Sequence, residues 1–518
     1  MRLRIRRATA AATALVAAAL LVLTAAGTAQ AARDSRAAPV LPSRPPTIAE
    51  CQARFGSVCL APQQLRALYA VDTLITQGIT GKGVTIGIVD SFGSPTLRQD
   101  VAAFDQAFGL PPIDLEIVTP AGAPPAFDAK NTDMVGWAYE TTMDVEAAHA
   151  IAPGAKIVVI ATPVSETEGR QGFPEIISAE KAVLGKVDVI SQSFAATEPT
   201  FTSPAEIREL SASIYPALKA AGIPVLSASG DSGPTDFTLD MTKLYDRPVT
   251  VWPASDPLVT AVGGTTLGVG PSGIRVESDT GWSGSGAGGG GRSEVFALPT
   301  FQSALVGGTG GRAVPDVSIV ADPATGFLTY CTYPVPVWSP GGGTSLAAPV
   351  LAGIVALAEQ AAGARVGYLN DALYSLAAGP DHGAANGIVD VTRGSNELTS
   401  KRVTVPGYRA VSGYDLATGL GTIDAARFVP ALVSATKDQQ RPLASAPVAT
   451  ASPTPLPSIR YSGGYSPLPE SITNTGSTSR GSRDVLYGVA GGLLAVVAGG
   501  AVGIVWRRRR ARSATHRA

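Results

Sequence analysis

Histidine is nearly absent from this chain: three in 518 residues, His149, His382 and His516. An ordinary serine hydrolase takes its base from histidine, and none of the three sits where such a base would. His516 lies in an arginine-rich tail, His382 in the loop Gly379-Pro380-Asp381-His382-Gly383, and His149 among alanines and isoleucine without flanking glycines. Cysteine is equally scarce, again three, which fits an exported protein. Cys51 and Cys59 are close enough to close a small loop around Phe55-Gly56. Cys331 is left over and is expected to be buried near the Ser345 loop, since an exposed thiol suits an extracellular protein poorly. The net charge of −1 gives no argument for nucleic acid. Regular repeats are absent.

What stands out instead is Gly341-Gly342-Gly343-Thr344-Ser345-Leu346-Ala347-Ala348-Pro349. Glycines permit a tight turn, and the apolar run after the serine starts a helix. Ser345 then sits at a helix N-terminus, where backbone N–H groups and the dipole favour negative charge. That suits a nucleophilic hydroxyl. The bare turn reads equally as a helix cap; the full string favours the nucleophile.

Carboxylates offer the missing base. The segment from Trp137 to His149 contains no glycine or proline and ends before Ala152-Pro153-Gly154, so it reads as a helix. Glu140 and Asp144 are then i and i+4, on one face. Partly buried, such a pair shares a proton and titrates as a unit, and it can accept a proton from a serine at acidic pH. Alone, the spacing describes a solvated acidic face just as well. Glu146 lies roughly 120° round the helix from Glu140 and faces elsewhere. The apolar run 222–228 reads as a buried strand that leads into Ser229-Gly230-Asp231-Ser232-Gly233. Asp231 is either an Asx-turn residue or a protonated acid aimed at a developing oxyanion. Asp90, ending the apolar run 84–90, reads as a strand-end residue lining the site rather than a catalytic group.

These three motifs, in this order and spacing, resemble the sedolisin family of serine-carboxyl peptidases, whose subtilisin-like fold replaces histidine by glutamate. The likeness spans about residues 48–430 and extends to Ala152-Pro153-Gly154-Ala155-Lys156-Ile157 and Val262-Gly263-Gly264-Thr265-Thr266. It implies Glu140 as general base, Asp144 as its partner, Asp231 as oxyanion donor and Ser345 as nucleophile. It also implies one structural calcium ion, held by the side chains of Asp390 and Asp415 and the backbone oxygens of Val391, Val411 and Gly413. Oxygen donors are what a hard cation takes. Many sedolisins carry a long folded propeptide; here little more than about fifty residues separate the leader from the strand at Val84.

The chain ends point to the cell surface. Residues 1–32 combine Arg2, Arg4, Arg6 and Arg7, an apolar run and small residues at Ala29-Gln30-Ala31-Ala32, the pattern of a cleaved signal peptide. Residues 485–506 carry no charge and are followed by an arginine block at 507–512. This reads as a single transmembrane helix with the tail 507–518 cytoplasmic. Residues 436–484 are rich in Pro, Ser, Thr and Gly and read as a stalk. A short N-terminal segment, 33–70, then precedes a peptidase domain at 71–435.

Strands are expected at 84–90, 156–161, 187–192, 222–228 and 258–263, with helices such as 96–108, 174–184 and 204–221 between them. This α/β alternation argues a parallel sheet with helices on both faces, as the subtilisin-like resemblance implies. The glycine-rich run 283–291 either admits a substrate backbone or is a loose surface loop. The expected protein is a membrane-anchored extracellular endopeptidase. It would act on peptides or unfolded proteins through an acyl-enzyme at acidic pH. A catalytically dead peptide-binding protein and a tripeptidyl exopeptidase are the alternatives.

Overall fold

A run of β-branched residues with no polar alternation makes a strand buried on both faces. The segment β1 (Thr85–Ser91) is such a strand, and every one of its residues is buried. In the computed structural model, which describes residues 44–399 and 405–444, β1 sits inside a parallel sheet. The others are β2 (Asp114–Val118), β3 (Lys156–Thr162), β4 (Val189–Gln192), β5 (Val225–Ala228), β6 (Thr260–Thr266) and β7 (Val317–Val320). Their order is β7-β6-β5-β4-β1-β3-β2, with the short strand Thr280–Gly281 antiparallel to β6. All five expected strands are present; β2 and β7 add one strand at each end of the order. The helix expected at 204–221 is two helices, Pro204–Ala212 and Tyr215–Ala220.

Because the strands run parallel, their carboxyl ends gather on one side of the sheet, where ligands bind in open α/β folds. Two long helices cross the sheet and carry residues to that side. One is α1 (Thr132–Ile151), capped by the Asn131 side chain, which accepts from the N–H groups of Asp133 and Met134. The other is α2 (Thr344–Ala362). It is the one helix among the described residues long and apolar enough to cross a membrane, but most of it is buried. It packs on α1 and on β4, β5, β6 and β7, and so is the central core helix.

Described residues from Pro46 onward form one compact unit. The boundary drawn at residue 71 is therefore too late. Leu65 and Tyr69 are fully buried, and the Tyr69 hydroxyl accepts the Val320 N–H at 2.8 Å. The boundary at 435 is too early. Arg441 and Arg365 exchange backbone hydrogen bonds, and the Ala444 N–H donates to Asp188 at 2.6 Å. The leader at 1–32, the stalk beyond residue 444, the span at 485–506 and the tail at 507–518 lie outside the described residues.

Cys51 and Cys59 form a disulfide with a Cα separation of 6.0 Å. Cys331 is free and buried. It ends β8 (Phe327–Cys331), whose antiparallel partner is β9 (Val337–Gly341). In that register Phe327, not Cys331, lies opposite Gly341. Cys331 instead contacts Thr142 of α1, 3.9 Å from its hydroxyl.

Candidate active site

Gly343, at φ 84°, lies in a region open to glycine and strained for other residues. It begins α2, which places Ser345 in the first turn. A Cβ on Gly343 would lie 2.6 Å from Asp231 Oδ2, so the absence of a side chain lets the Asp231 carboxyl reach the serine loop. Asp231 Oδ1 accepts the Thr344 N–H at 2.8 Å and lies 2.9 Å from the Thr344 hydroxyl. That leaves Oδ2 for a proton. Asp231 is pushed above the usual carboxylate range by burial, opposed by its bonds to Thr344.

The glycine run 283–291 explains how Asp231 is held. The Ala287 N–H donates to Asp231 O at 3.0 Å, the Gly289 N–H to Gly230 O at 2.7 Å, and Ser229 Oγ to Gly289 O at 2.7 Å. A Cβ on Gly289 would stand 1.9 Å from Ser229 O. The close approach that Gly288, Gly289 and Gly290 permit is to the chain's own backbone, and that part of the run is not a loose loop.

Glu140 and Asp144 project from α1 into the same space. Both are buried, and both are raised well above the carboxylate range, first by desolvation and then by neighbouring charge. For Glu140 that neighbour is Asp90; for Asp144 it is Glu140, then Asp90. Asp90, fully buried at the end of β1, is pushed up to about 7 by desolvation, opposed by the Thr141 hydroxyl. Neither Asp90 nor Asp144 has a hydrogen-bond partner of ordinary length for either carboxylate oxygen. Burial of several carboxyls together leaves protons shared among them, since like charges in low dielectric cannot all ionise.

Ser345 is 2 % exposed, and its hydroxyl makes no hydrogen bond of ordinary length. It lies near enough to Glu140 to favour that residue's charged form. The serine carbonyl is held by Ser193, whose hydroxyl donates to Ser345 O at 3.1 Å. The structure thus brings Glu140, Asp144, Asp231 and Ser345 together. Asp90, expected to line the site, is there too, and Ser193 is added, whose sequence signal was only its position after β4. Glu146 faces away, as its helical phase requires, and accepts the Tyr330 N–H at 3.0 Å. His149 is fully buried on α1, 3.0 Å from Pro111 O and 3.2 Å from Asp105.

Asp390 and Asp415 lie on one loop cluster away from these carboxyls in sequence. The segment around Val411 and Gly413 wraps both: Gly413 N–H donates to Asp390 Oδ2, and Val411 N–H to Asp415 Oδ2, each at 2.8 Å. Asp415 Oδ1 accepts from Ala417 and Thr418, and the Thr418 hydroxyl reaches Val391 O at 3.5 Å. Asp390 Oδ1 is buried without a partner. No group of three or more His, Cys, Asp or Glu side chains suited to a metal occurs among the described residues. A cation here would therefore rely on two carboxylates and backbone oxygens, and the orphaned Asp390 oxygen fits such a donor set.

Residues 128–372 match the model of the subtilase family. The chain is 34 % identical over 375 residues to kumamolisin of Bacillus sp. (strain MN-32), covering 70 % of this chain and 62 % of that protein. It is 26 % identical over 359 residues to sedolisin of Pseudomonas sp. (strain 101), covering 67 % and 57 %. It is 31 % identical over 308 residues to human tripeptidyl-peptidase 1, covering 55 % and 50 %. The chain thus spans less than two thirds of the length of these relatives. The solved Pseudomonas sedolisin, a serine-carboxyl proteinase complexed with two molecules of pseudo-iodotyrostatin, superposes with a TM-score of 0.60 at 25 % identity. That match covers 73 % of this chain and 98 % of the solved one.

Proposed function

We propose that this chain, which resembles kumamolisin and sedolisin over most of its described residues, is a serine-carboxyl peptidase of the sedolisin family, an endopeptidase held at the outer cell surface. The observation that carries this is the convergence of the buried Ser345 hydroxyl, Glu140 and Asp144 of α1, and Asp231 at the Gly343 turn. Glu140 takes the proton of Ser345 as the hydroxyl attacks the peptide carbonyl, forming the Ser345 Oγ–carbon bond. Asp144 holds the companion proton that lets Glu140 be the charged member of the pair. Asp231, protonated, donates to the oxyanion from Oδ2 while Thr344 holds Oδ1. Glu140 then returns the proton to the leaving amine, and the C–N bond breaks to leave an acyl-enzyme. Water, activated by Glu140, releases the acid.

Surface attachment rests on the uncharged run 485–506 and the arginines after it. The endopeptidase reading and the anchor are tested together. A chain cut before Val485 is expected in the medium, and its digest of a denatured protein at acidic pH should contain internal fragments. Products that are uniformly N-terminal tripeptides would establish the exopeptidase alternative, and recovery of the cut chain with membranes would refute the anchor.

We further propose that Asp390 and Asp415, with the backbone oxygens of Val391, Val411 and Gly413, hold one calcium ion that ties the 390 and 411–415 segments together. A ligand bound only by the folded state stabilises it by mass action. A chelator is expected to lower the melting temperature by several degrees, about what a loss of 1–3 kcal/mol produces in a domain of this size, and Asp415→Ala should be insensitive to it. Unchanged melting with chelator, and no metal by elemental analysis, would remove the site.

A further inference from the structure

The N-terminal stretch 47–60 is bound tightly to a part of the chain that neither mechanism nor metal explains. It starts with a capping box in which Thr47 N–H donates to Glu50 Oε2 at 2.8 Å and Glu50 N–H to Thr47 Oγ1 at 3.3 Å. The helix Ile48–Phe55 follows and ends at Gly56 in the left-handed region. The disulfide then folds residues 57–60 back, with Cys59 itself at φ 45°, an uncommon conformation for a side-chain-bearing residue.

Folded back, this stretch lies along residues 323–328. Ser57 Oγ donates to Pro323 O at 2.6 Å and also accepts the Cys59 N–H at 3.1 Å. Val58 N–H donates to Ala324 O at 3.0 Å and Leu60 N–H to Gly326 O at 2.8 Å. Leu328 N–H returns a bond to Leu60 O at 2.9 Å, a parallel bridge between Leu60 and Phe327. Leu60 is fully buried.

The same stretch carries the serine loop on its other side. Phe327 pairs with Gly341. A Cβ on Gly326 would stand 1.9 Å from Gly341 O, and one on Gly342 would stand 2.5 Å from Pro323 Cγ. Gly343 N–H donates to Ala321 O at 2.7 Å. Residues 321–328 are thus sandwiched between the disulfide-closed strap and the three glycines that precede Ser345. The glycines themselves supply no side chains to resist a shift, so their position is set by what they pack against.

We propose that the strap 47–60, closed by Cys51–Cys59 and pinned by Ser57, positions the Ser345 loop against Glu140 and Asp231. It rests on the reading of Ser345 as nucleophile, which Ser345→Ala tests separately. The strap touches no reacting atom; it acts through residues 321–328. A corollary is that any maturation cleavage yielding full activity falls before Thr47.

The test compares Cys51→Ser/Cys59→Ser and Ser57→Ala with the parent in the anchor-free chain, at acidic pH and well below the melting temperature. Misplacing a nucleophile by an ångström costs about a hundredfold, and a partial loosening is expected to lower kcat about tenfold with KM within about twofold. Ser57→Thr, which keeps the hydroxyl, should recover the rate. If the double variant does not fold, Ser57→Ala, which keeps the disulfide, decides alone. A melting temperature that falls while kcat stays at the parent value in the folded variants would overturn the proposal, as would Ser57→Thr behaving like Ser57→Ala.

Discussion

Ser345→Ala is expected to abolish peptide hydrolysis, with kcat falling about 10⁵-fold or more, because members of a nucleophilic unit do not contribute additively. The fold should be untouched. The Ser345 hydroxyl has no hydrogen-bond partner of ordinary length, so its removal leaves no buried group newly unsatisfied. Leu346, Ala347 and Ala348 after it are fully buried and keep α2 in place. The melting temperature should therefore stay within about two degrees of the parent, the range of a substitution that breaks no packing. Turnover near the parent value in a folded Ser345→Ala protein would refute the mechanism at its centre. Turnover lost together with melting would show instead that the variant had unfolded.

Glu140→Gln is the second large effect, expected to reduce kcat about 10⁴-fold, as replacing a group that must hold or direct a proton does. His382→Ala is the control and should retain activity, since the His382 ring lies against Gly413. His149 is a poor control, because its buried ring satisfies Pro111 and Asp105 and its loss would disturb the fold. The pH dependence follows from the carboxyls. Glu140, Asp144, Asp90 and Asp231 are all raised, with desolvation the largest cause. Activity should rise as the first shared proton leaves the Glu140 set and fall as Asp231 loses the proton it must donate. A peak on the acid side is expected, and a rate climbing to a plateau above neutral pH would refute Asp231 as an acid.

Stability should move the same way. A carboxyl whose folded pKa lies above its unfolded value keeps a proton that the unfolded chain releases, so its contribution is complete below about pH 4 and is lost as pH rises through the folded value. Asp90 is pushed up to about 7, and Glu168 and Glu180 to about 8, all chiefly by burial. Melting temperature should therefore decline between about pH 4 and pH 8. A melting curve that instead improves toward neutral pH would mean these groups are ionised in the folded protein.

Much of this was legible in the chain itself. The three-glycine turn before a serine, the four-residue spacing of Glu140 and Asp144 and the strand-then-turn around Asp231 are local patterns. Local patterns follow from helix and strand period. The small loop closed by Cys51 and Cys59 was legible too.

What only the tertiary structure decided is how distant segments meet. Parallel strands place their ends side by side although their sequences are far apart. That is how Asp90 near the end of β1 joins the carboxyls of α1, and how Ser193 after β4 comes to hold the Ser345 carbonyl. The glycine run 283–291 could not be told from a loose loop, because glycine reports only that no side chain is tolerated, not what occupies the space. Here Ser229 O and Leu416 O occupy it. The domain edges at 71 and 435 were misjudged for a related reason. Segments 46–70 and 436–444 are joined to the rest by bonds to distant partners such as Val320, Arg365 and Asp188, which local sequence does not show. Residue order along the chain determines which groups are available and which turns they sit in. Whether a carboxyl is buried, and beside which other carboxyl, depends on packing between elements, and that burial is what raises these groups above the usual carboxylate range.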